Sequence, residues 1–274
     1  MSDKRVAITA PMANRAWCLP YWLGCLTTLD YPRELLSVHI IDDGSTDATP
    51  AILKAFRAKY GKTFAAVEIE RQPWENPATS ARDTQDRGDG YPRLAALRNM
   101  ALEMAQASGA EYQLSIDADI LVSPGLLRGL QAHGLPYVSS MIWNDIESDR
   151  NRVAVGVPII GRYTNAGGLF QGRWQPMKRY ELGKLYPCGY SGAVYLIDRA
   201  TLDSGARFGG ENPDPGKHCE DYSYCWALQL RDIPRSIDTT LRAVHLQIPQ
   251  CLQEGLGVYY AWFRQLPPAV GVKR

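Results

Sequence analysis

The chain has 274 residues, 45% of them hydrophobic, which suits one large α/β unit or two small ones. Thirty basic against twenty-nine acidic residues leave a formal charge of +1, so no overall field recruits nucleic acid or an anionic membrane surface, and a charged ligand must be held locally. No apolar run approaches the roughly 18 residues that span a bilayer, and the first residues lead into a strand-like segment rather than a signal-peptide core; the expected location is cytoplasmic, membrane periphery included.

Short apolar β-like runs at 6–9 and 38–41 flank a helical segment at 15–29, a βαβ unit that implies a parallel pair. Within "IIDDGSTDATP", Asp47 or Thr46 is placed to cap a second helix, with Pro50 in its first turn and Gly61 at its end. A strand is expected at 64–69. Residues 71–93 are polar and broken by proline and glycine, the pattern of a long functional or disordered loop. Helical periodicity returns in "LAALRNMALEMAQA", where Leu94, Leu97, Ala101, Met104 and Ala105 share a face and Gly109 follows the end. In "YQLSIDADILVSPGLLRGLQAHG" a strand runs into aspartates, then a helix follows with Ser123 as cap, Pro124 first and Gly134 just beyond. Residues 142–192 are rich in Gly, Pro, Trp and Tyr, an irregular region suited to substrate variation. "GAVYLID" then restores a strand and "EDYSYCWALQLR" a helix. The six cysteines, without a CxxC pair, read as reduced thiols.

Strands alternating with helices favour a doubly wound α/β sheet, whose ligands collect outside the carboxyl ends of the strands. Three acid clusters sit at such places. Asp42 and Asp43 precede Gly44, where an aspartate either shapes the turn or accepts a polar hydrogen from a ligand. Asp117 and Asp119 flank one small residue, Ala118, so both carboxylates can aim at one hard cation, which completes its shell with water and phosphate oxygens. Glu220 and Asp221 open a helix, either favouring its dipole or supplying a general base that the helix N-terminus keeps ionised.

The ordered series "IIDDGSTD", "RLAALRNMAL", "SIDADILVSP", "GYSGAVYLIDR" and "HCEDYSYCWAL" resembles the motifs of family 2 nucleotide-sugar glycosyltransferases, over residues 5 to about 245. "RNMAL…DADI" and "SSMIW" also resemble the fungal mannan-polymerase mannosyltransferases. The resemblance implies a single catalytic domain of the GT-A fold, a Rossmann-like, mostly parallel sheet with helices on both faces and a smaller acceptor-side subregion. Residues 1–122 would form the nucleotide half and 123–274 the acceptor half.

By the same resemblance Ala10, Pro11, Asp42 and Asp43 line the nucleobase pocket, Arg98 and Asn99 lie by the diphosphate, and Arg71 is a further donor contact. Asp117 and Ala118 contact the nucleotide, Asp119 and His245 ligate Mn2+ or Mg2+, and Gly192 lets backbone approach the donor sugar. Asp221 is the general base with Glu220 beside it, and Trp143, Trp174, Tyr190 and His218 are acceptor-side candidates. The implied substrates are a UDP- or GDP-linked sugar and a carbohydrate, lipid-linked or protein acceptor. The QxxRW motif of processive polymerases is missing, which favours transfer of one or a few sugars. A retaining enzyme on the same fold, a sugar-1-phosphate nucleotidyltransferase and a non-catalytic binding module are the rival readings.

Overall fold

Alternation along the strands decides the architecture. In the computed structural model, which describes residues 3–72, 90–146, 155–158, 161–166, 169–174, 183–189, 191–210, 220–246 and 248–263, strand β1 (Val6–Met12) sends Val6, Ile8, Ala10 and Met12 into one apolar cluster and Ala7 into another. Strand β2 (Leu36–Asp42) is buried at every position, as a strand covered on both faces must be.

The main sheet also contains β3 (Ala66–Arg71), β4 (Tyr112–Ile116), β6 (Tyr137–Ile146), β10 (Leu185–Pro187), β11 (Val194–Asp198) and β12 (Ser236–His245), in the order β10-β12-β6-β11-β4-β1-β2-β3. Strands β3, β2, β1, β4, β6 and β12 run one way; β11 and β10 oppose their neighbours. Two short strands, β5 (Ile120–Val122) and β7 (Val155–Pro158), pair with β12 and β6, while β8 (Gly161–Ala166) and β9 (Leu169–Trp174) form a separate hairpin.

Helices cover both faces. Residues of α1 (Leu19–Thr28), α2 (Thr49–Tyr60), α4 (Leu126–Ala132) and α7 (Leu252–Phe263) join the larger core, which reaches from Val6 to Tyr259. On the other face lie α3 (Gly90–Ala107), α5 (Arg199–Leu202) and α6 (Glu220–Gln229), with Ala95, Leu102, Leu202 and Tyr224 packed against Tyr137 and Tyr195. This second face also buries polar side chains, among them Thr9 and Gln113: Gln113 Nε2 donates to Thr9 Oγ1 at 2.8 Å, while Gln113 Oε1 has no hydrogen-bond partner among the described residues.

Several boundaries differ from the sequence reading. Helix α1 starts at Leu19 rather than 15, with Pro20 in its first turn. Helix α3 starts at Gly90, four residues before its apolar period becomes visible, and Pro92 fits a first turn because its missing N–H would have no helical partner. Strand β3 starts at Ala66 because the backbone N–H groups of Thr63 and Phe64 still bond back to the Tyr60 carbonyl, in the turn that closes α2. No side-chain cap forms at α4, where Gly125 rather than Ser123 precedes the helix. The 142–192 region, expected to be irregular, holds the end of β6 and strands β7 to β10. Residues 73–89 of the expected loop lie outside the described residues.

Candidate active site

Because six strands run the same way, the loops after β1, β2, β3, β4 and β12 open on one edge of the sheet, and α3 and α6 begin there. The acid clusters converge on this edge through arginines.

The most deeply buried of these arginines is Arg98 of α3, 3% exposed. Its Nη2 donates to both carboxylate oxygens of Asp117, at 2.9 and 3.1 Å. Its Nε donates to Glu220 Oε1 at 3.2 Å and lies 3.9 Å from Asp221 Oδ1. One guanidinium therefore faces three carboxylates, which would leave two negative charges in excess if all were ionised. Burial pushes the Asp221 carboxyl well above the usual carboxylate range against the pull of Arg98, and the neighbouring Glu220 and Asp117 push it further. Burial raises Glu220 as well, again against Arg98. Sequence reasoning expected the helix N-terminus to favour the ionised form of Asp221; desolvation and the like charges of Glu220 and Asp117 push in the opposite direction. Within the pair the Asp221 side chain is 18% exposed and that of Glu220 only 5%, so Asp221 is the more accessible of the two. Arg98 Nη1, Glu220 Oε2 and Asp221 Oδ1 are buried without a hydrogen-bond partner among the described residues.

Gly192, two residues before β11, lies against this cluster. A Cβ there would overlap the Asp221 carboxylate. Gly192→Ala is expected to cost about 1–3 kcal/mol through overpacking and to displace Asp221. Thermal unfolding of the variant checks this; an unchanged melting temperature would contradict the packing described.

Asp119 stands apart from that node. Its Oδ1 is 3.4 Å from His245 Nε2 at the end of β12, and its Oδ2 is 3.6 Å from Arg15 Nη2 in the loop after β1. Burial works to raise its pKa, but His245 and then Arg15 outweigh this and hold the carboxyl down at about 2. His245 is raised above the usual imidazole range: burial opposes its charge, and Asp119 more than compensates. Among the described residues no group of three or more His, Cys, Asp and Glu side chains is arranged as a metal site. One carboxylate and one imidazole do converge, and a hard cation that fills its shell with phosphate oxygens needs only one or two protein ligands. The donor set of Asp119 and His245 fits such a cation.

At the end of β2 the two aspartates divide their work. Asp42 Oδ1 accepts from the Ser45 backbone N–H at 3.0 Å and closes the turn, aided by Gly44 at φ 65. Arg71, with a 58% exposed side chain, donates to the Ser45 carbonyl at 3.0 Å and lies 3.9 Å from Asp42. Asp43 receives Arg93 from the start of α3, at 2.7 and 3.2 Å.

The remaining sequence candidates spread more widely. Both ends of the Asn99 amide are engaged with the Phe208 backbone, at 3.0 and 2.8 Å, so this side chain secures a loop. Ala10 and Ala118 belong to the apolar core, and Pro11 is half-buried at the end of β1. Trp143 and Trp174 lie in β6 and β9, but their side chains, like Tyr190 and His218 altogether, fall outside the described residues. Cys18, Cys25, Cys188 and Cys225 are buried free thiols; Cys219 is not among the described residues. Sequence reasoning missed Arg15 and Arg93. The available signal was charge balance: buried strand-end acids need counter-ions, and "RLAALRN" offers two arginines rather than one.

Against known proteins, the family profile described as "Glycosyltransferase family 25, N-terminal domain" matches residues 3–151. The human protein named inactive glycosyltransferase 25 family member 3 is 34% identical over 162 residues, 57% of this chain and 26% of that protein. Procollagen galactosyltransferase 1-A of Xenopus laevis is 26% identical over 202 residues, 72% of this chain and 32% of that protein. The chain thus spans about a third or less of the curated relatives it matches. The mannosyltransferase PcManGT of Pyrobaculum calidifontis, solved with GDP-mannose and Mn2+, superposes with a TM-score of 0.55 at 16% identity, covering 89% of this chain and 57% of that one. The fold is that of the GT-A glycosyltransferases. The profile match is to family 25 and not to the family 2 series or the fungal mannosyltransferases that the motifs resemble.

Proposed function

Because the chain belongs to glycosyltransferase family 25, we propose that it transfers a hexose from a uridine or guanosine diphosphate sugar to a hydroxyl of a carbohydrate, lipid-linked or protein acceptor. The observation that carries this reading is the convergence of acids from distant parts of the chain on one sheet edge: Asp117 and Glu220 both on Arg98, with Asp221 beside them and Asp119 against His245.

The roles follow from position and charge. Asp119 and His245 would hold Mn2+ or Mg2+. Such a cation supplies Lewis-acid stabilisation of the charge on a departing diphosphate. Asp43 and the β1 end line the base-recognition side, with Arg93 fixing the Asp43 carboxylate. Asp221, the more exposed member of its pair, takes the proton of the acceptor hydroxyl as it attacks, which inverts the anomeric centre. Its raised pKa makes it a stronger base once ionised. Glu220 and Arg98 hold it in place. The pH consequence has a definite sign. Activity is expected to rise with pH along a limb set by an apparent pKa above the usual carboxylate range, and a flat profile from pH 5 to 8 would count against Asp221 as base.

The test is turnover itself, since a relative named as inactive stands beside others named as galactosyltransferases. Nucleotide-sugars are screened with Mn2+ for nucleoside diphosphate release, followed by mass spectrometry of acceptors and NMR of the new linkage. A product of opposite anomeric configuration to the donor is expected; retention would move the chemistry away from Asp221. Pyrophosphate release would instead indicate a nucleotidyltransferase, and metal-dependent binding without any turnover a binding module.

A further inference from the structure

Three consecutive backbone N–H groups after β1 donate to side chains between β2 and α2: Asn14 to Ser45 Oγ at 2.9 Å, Arg15 to Thr49 Oγ1 at 2.8 Å and Ala16 to Asp47 Oδ2 at 3.0 Å. In return Asn14 Oδ1 accepts from the backbone N–H of Thr46 at 2.9 Å and of Asp47 at 3.3 Å. Asn14 is held at φ 51, a left-handed conformation that a non-glycine residue keeps only where its surroundings enforce it. The hydroxyl-rich "GSTDAT" stretch is therefore a clamp on the preceding loop.

What the clamp positions is Arg15. Its Nη1 donates to the Ala13 carbonyl at 3.0 Å, its Nη2 lies 3.6 Å from Asp119 Oδ2, and its side chain is 23% exposed. A fixed guanidinium beside a carboxylate that is to hold a divalent cation repels that cation. The conflict ends when a polyanion enters, because the planar fork matches phosphate oxygens better than a single carboxylate oxygen at that distance. We propose that Arg15 is the residue that binds the diphosphate of the donor, releasing Asp119 as it does so and thereby making cation binding and nucleotide binding cooperative. This rests on the reading of the site given above. Arg98, held beneath the edge by three acids, has no comparable access to the donor.

Calorimetric titration of the full chain tests the assignment, with Mn2+ alone and then with UDP, GDP, UMP and GMP at saturating Mn2+. Arg15→Ala is expected to bind the preferred diphosphate at least tenfold more weakly, with a smaller loss for the matching monophosphate, and to bind Mn2+ alone several-fold more tightly. The Arg15 backbone bonds remain in the variant, and Arg15→Lys, which keeps the charge, is expected to recover part of the lost diphosphate affinity. Diphosphate affinity within twofold of the unaltered protein, or an equal loss for mono- and diphosphate, would overturn the role of Arg15. If the unaltered protein binds neither diphosphate with Mn2+, it is the donor-site reading that fails.

Discussion

Arg98→Met is expected to lose about 3–5 kcal/mol of folding stability at pH 8, because removing one partner of a buried ionic cluster strands the others. Methionine keeps much of the volume, so the loss is electrostatic. Asp117, Glu220 and Asp221 would keep their burial and lose the charge that holds them. The loss should shrink on acidification. Burial already raises these carboxyls in the folded chain, and without Arg98 they rise further. A carboxyl whose folded pKa exceeds its unfolded value destabilises the fold above the folded pKa and ceases to do so as pH falls towards the unfolded one, near 4. Urea unfolding at pH 8 and pH 5.5 reads both effects. A loss below about 1 kcal/mol, or one equal at the two pH values, would mean that the cluster carries little charge.

Asp221→Asn carries the largest expected effect on catalysis. Losing a general base lowers transfer by about 10²–10⁴-fold, while affinity for the nucleoside diphosphate is expected to be retained, because the proposed role of Asp221 is towards the acceptor hydroxyl and not the donor. The same change should stabilise the protein by about 1 kcal/mol, or some 2–4 °C in melting temperature, at neutral pH. A neutral amide of the same shape sits against Gly192 and removes one carboxyl from a pocket with more acids than counter-ions. A transferase made more stable by removal of its base would show that the cluster trades stability for reactivity. A variant that loses nucleotide affinity in step with turnover would place Asp221 on the donor instead.

The sheet was legible because its central strands are short apolar runs bounded by turn residues and acids; β1, β2, β4 and β11, and the helix α6 that Glu220 and Asp221 open, all lie where the sequence reading put them. Strands β7 to β9 were not legible. Their pairing partners are β6 or each other, and their short glycine-containing sequences carry no sustained apolar alternation to reveal a strand. The acids were legible as strand-end groups, since a carboxylate seldom follows an apolar run without a task. Their counter-ions were not. Arginine reach is long, and nothing local tells that Arg15 meets Asp119 across 104 positions or that Arg93 meets Asp43 across 50. Asn99 misled for a related reason: adjacency to Arg98 suggests a shared ligand, yet successive helical residues point in different directions, and its amide reaches the Phe208 backbone. The family number also lay beyond the motifs, which report the shared GT-A chemistry more than the branch.

On the proposed reading a nucleoside diphosphate and a divalent cation share the sheet edge through Asp119. That sharing is tested most directly by the equilibrium affinity for UDP and GDP with and without Mn2+, in the unaltered protein and in Asp119→Ala. Mn2+ is expected to tighten one of the two nucleotides by at least tenfold in the unaltered protein, and this enhancement is expected to disappear in Asp119→Ala. An identical Mn2+ dependence in both proteins would contradict that reading.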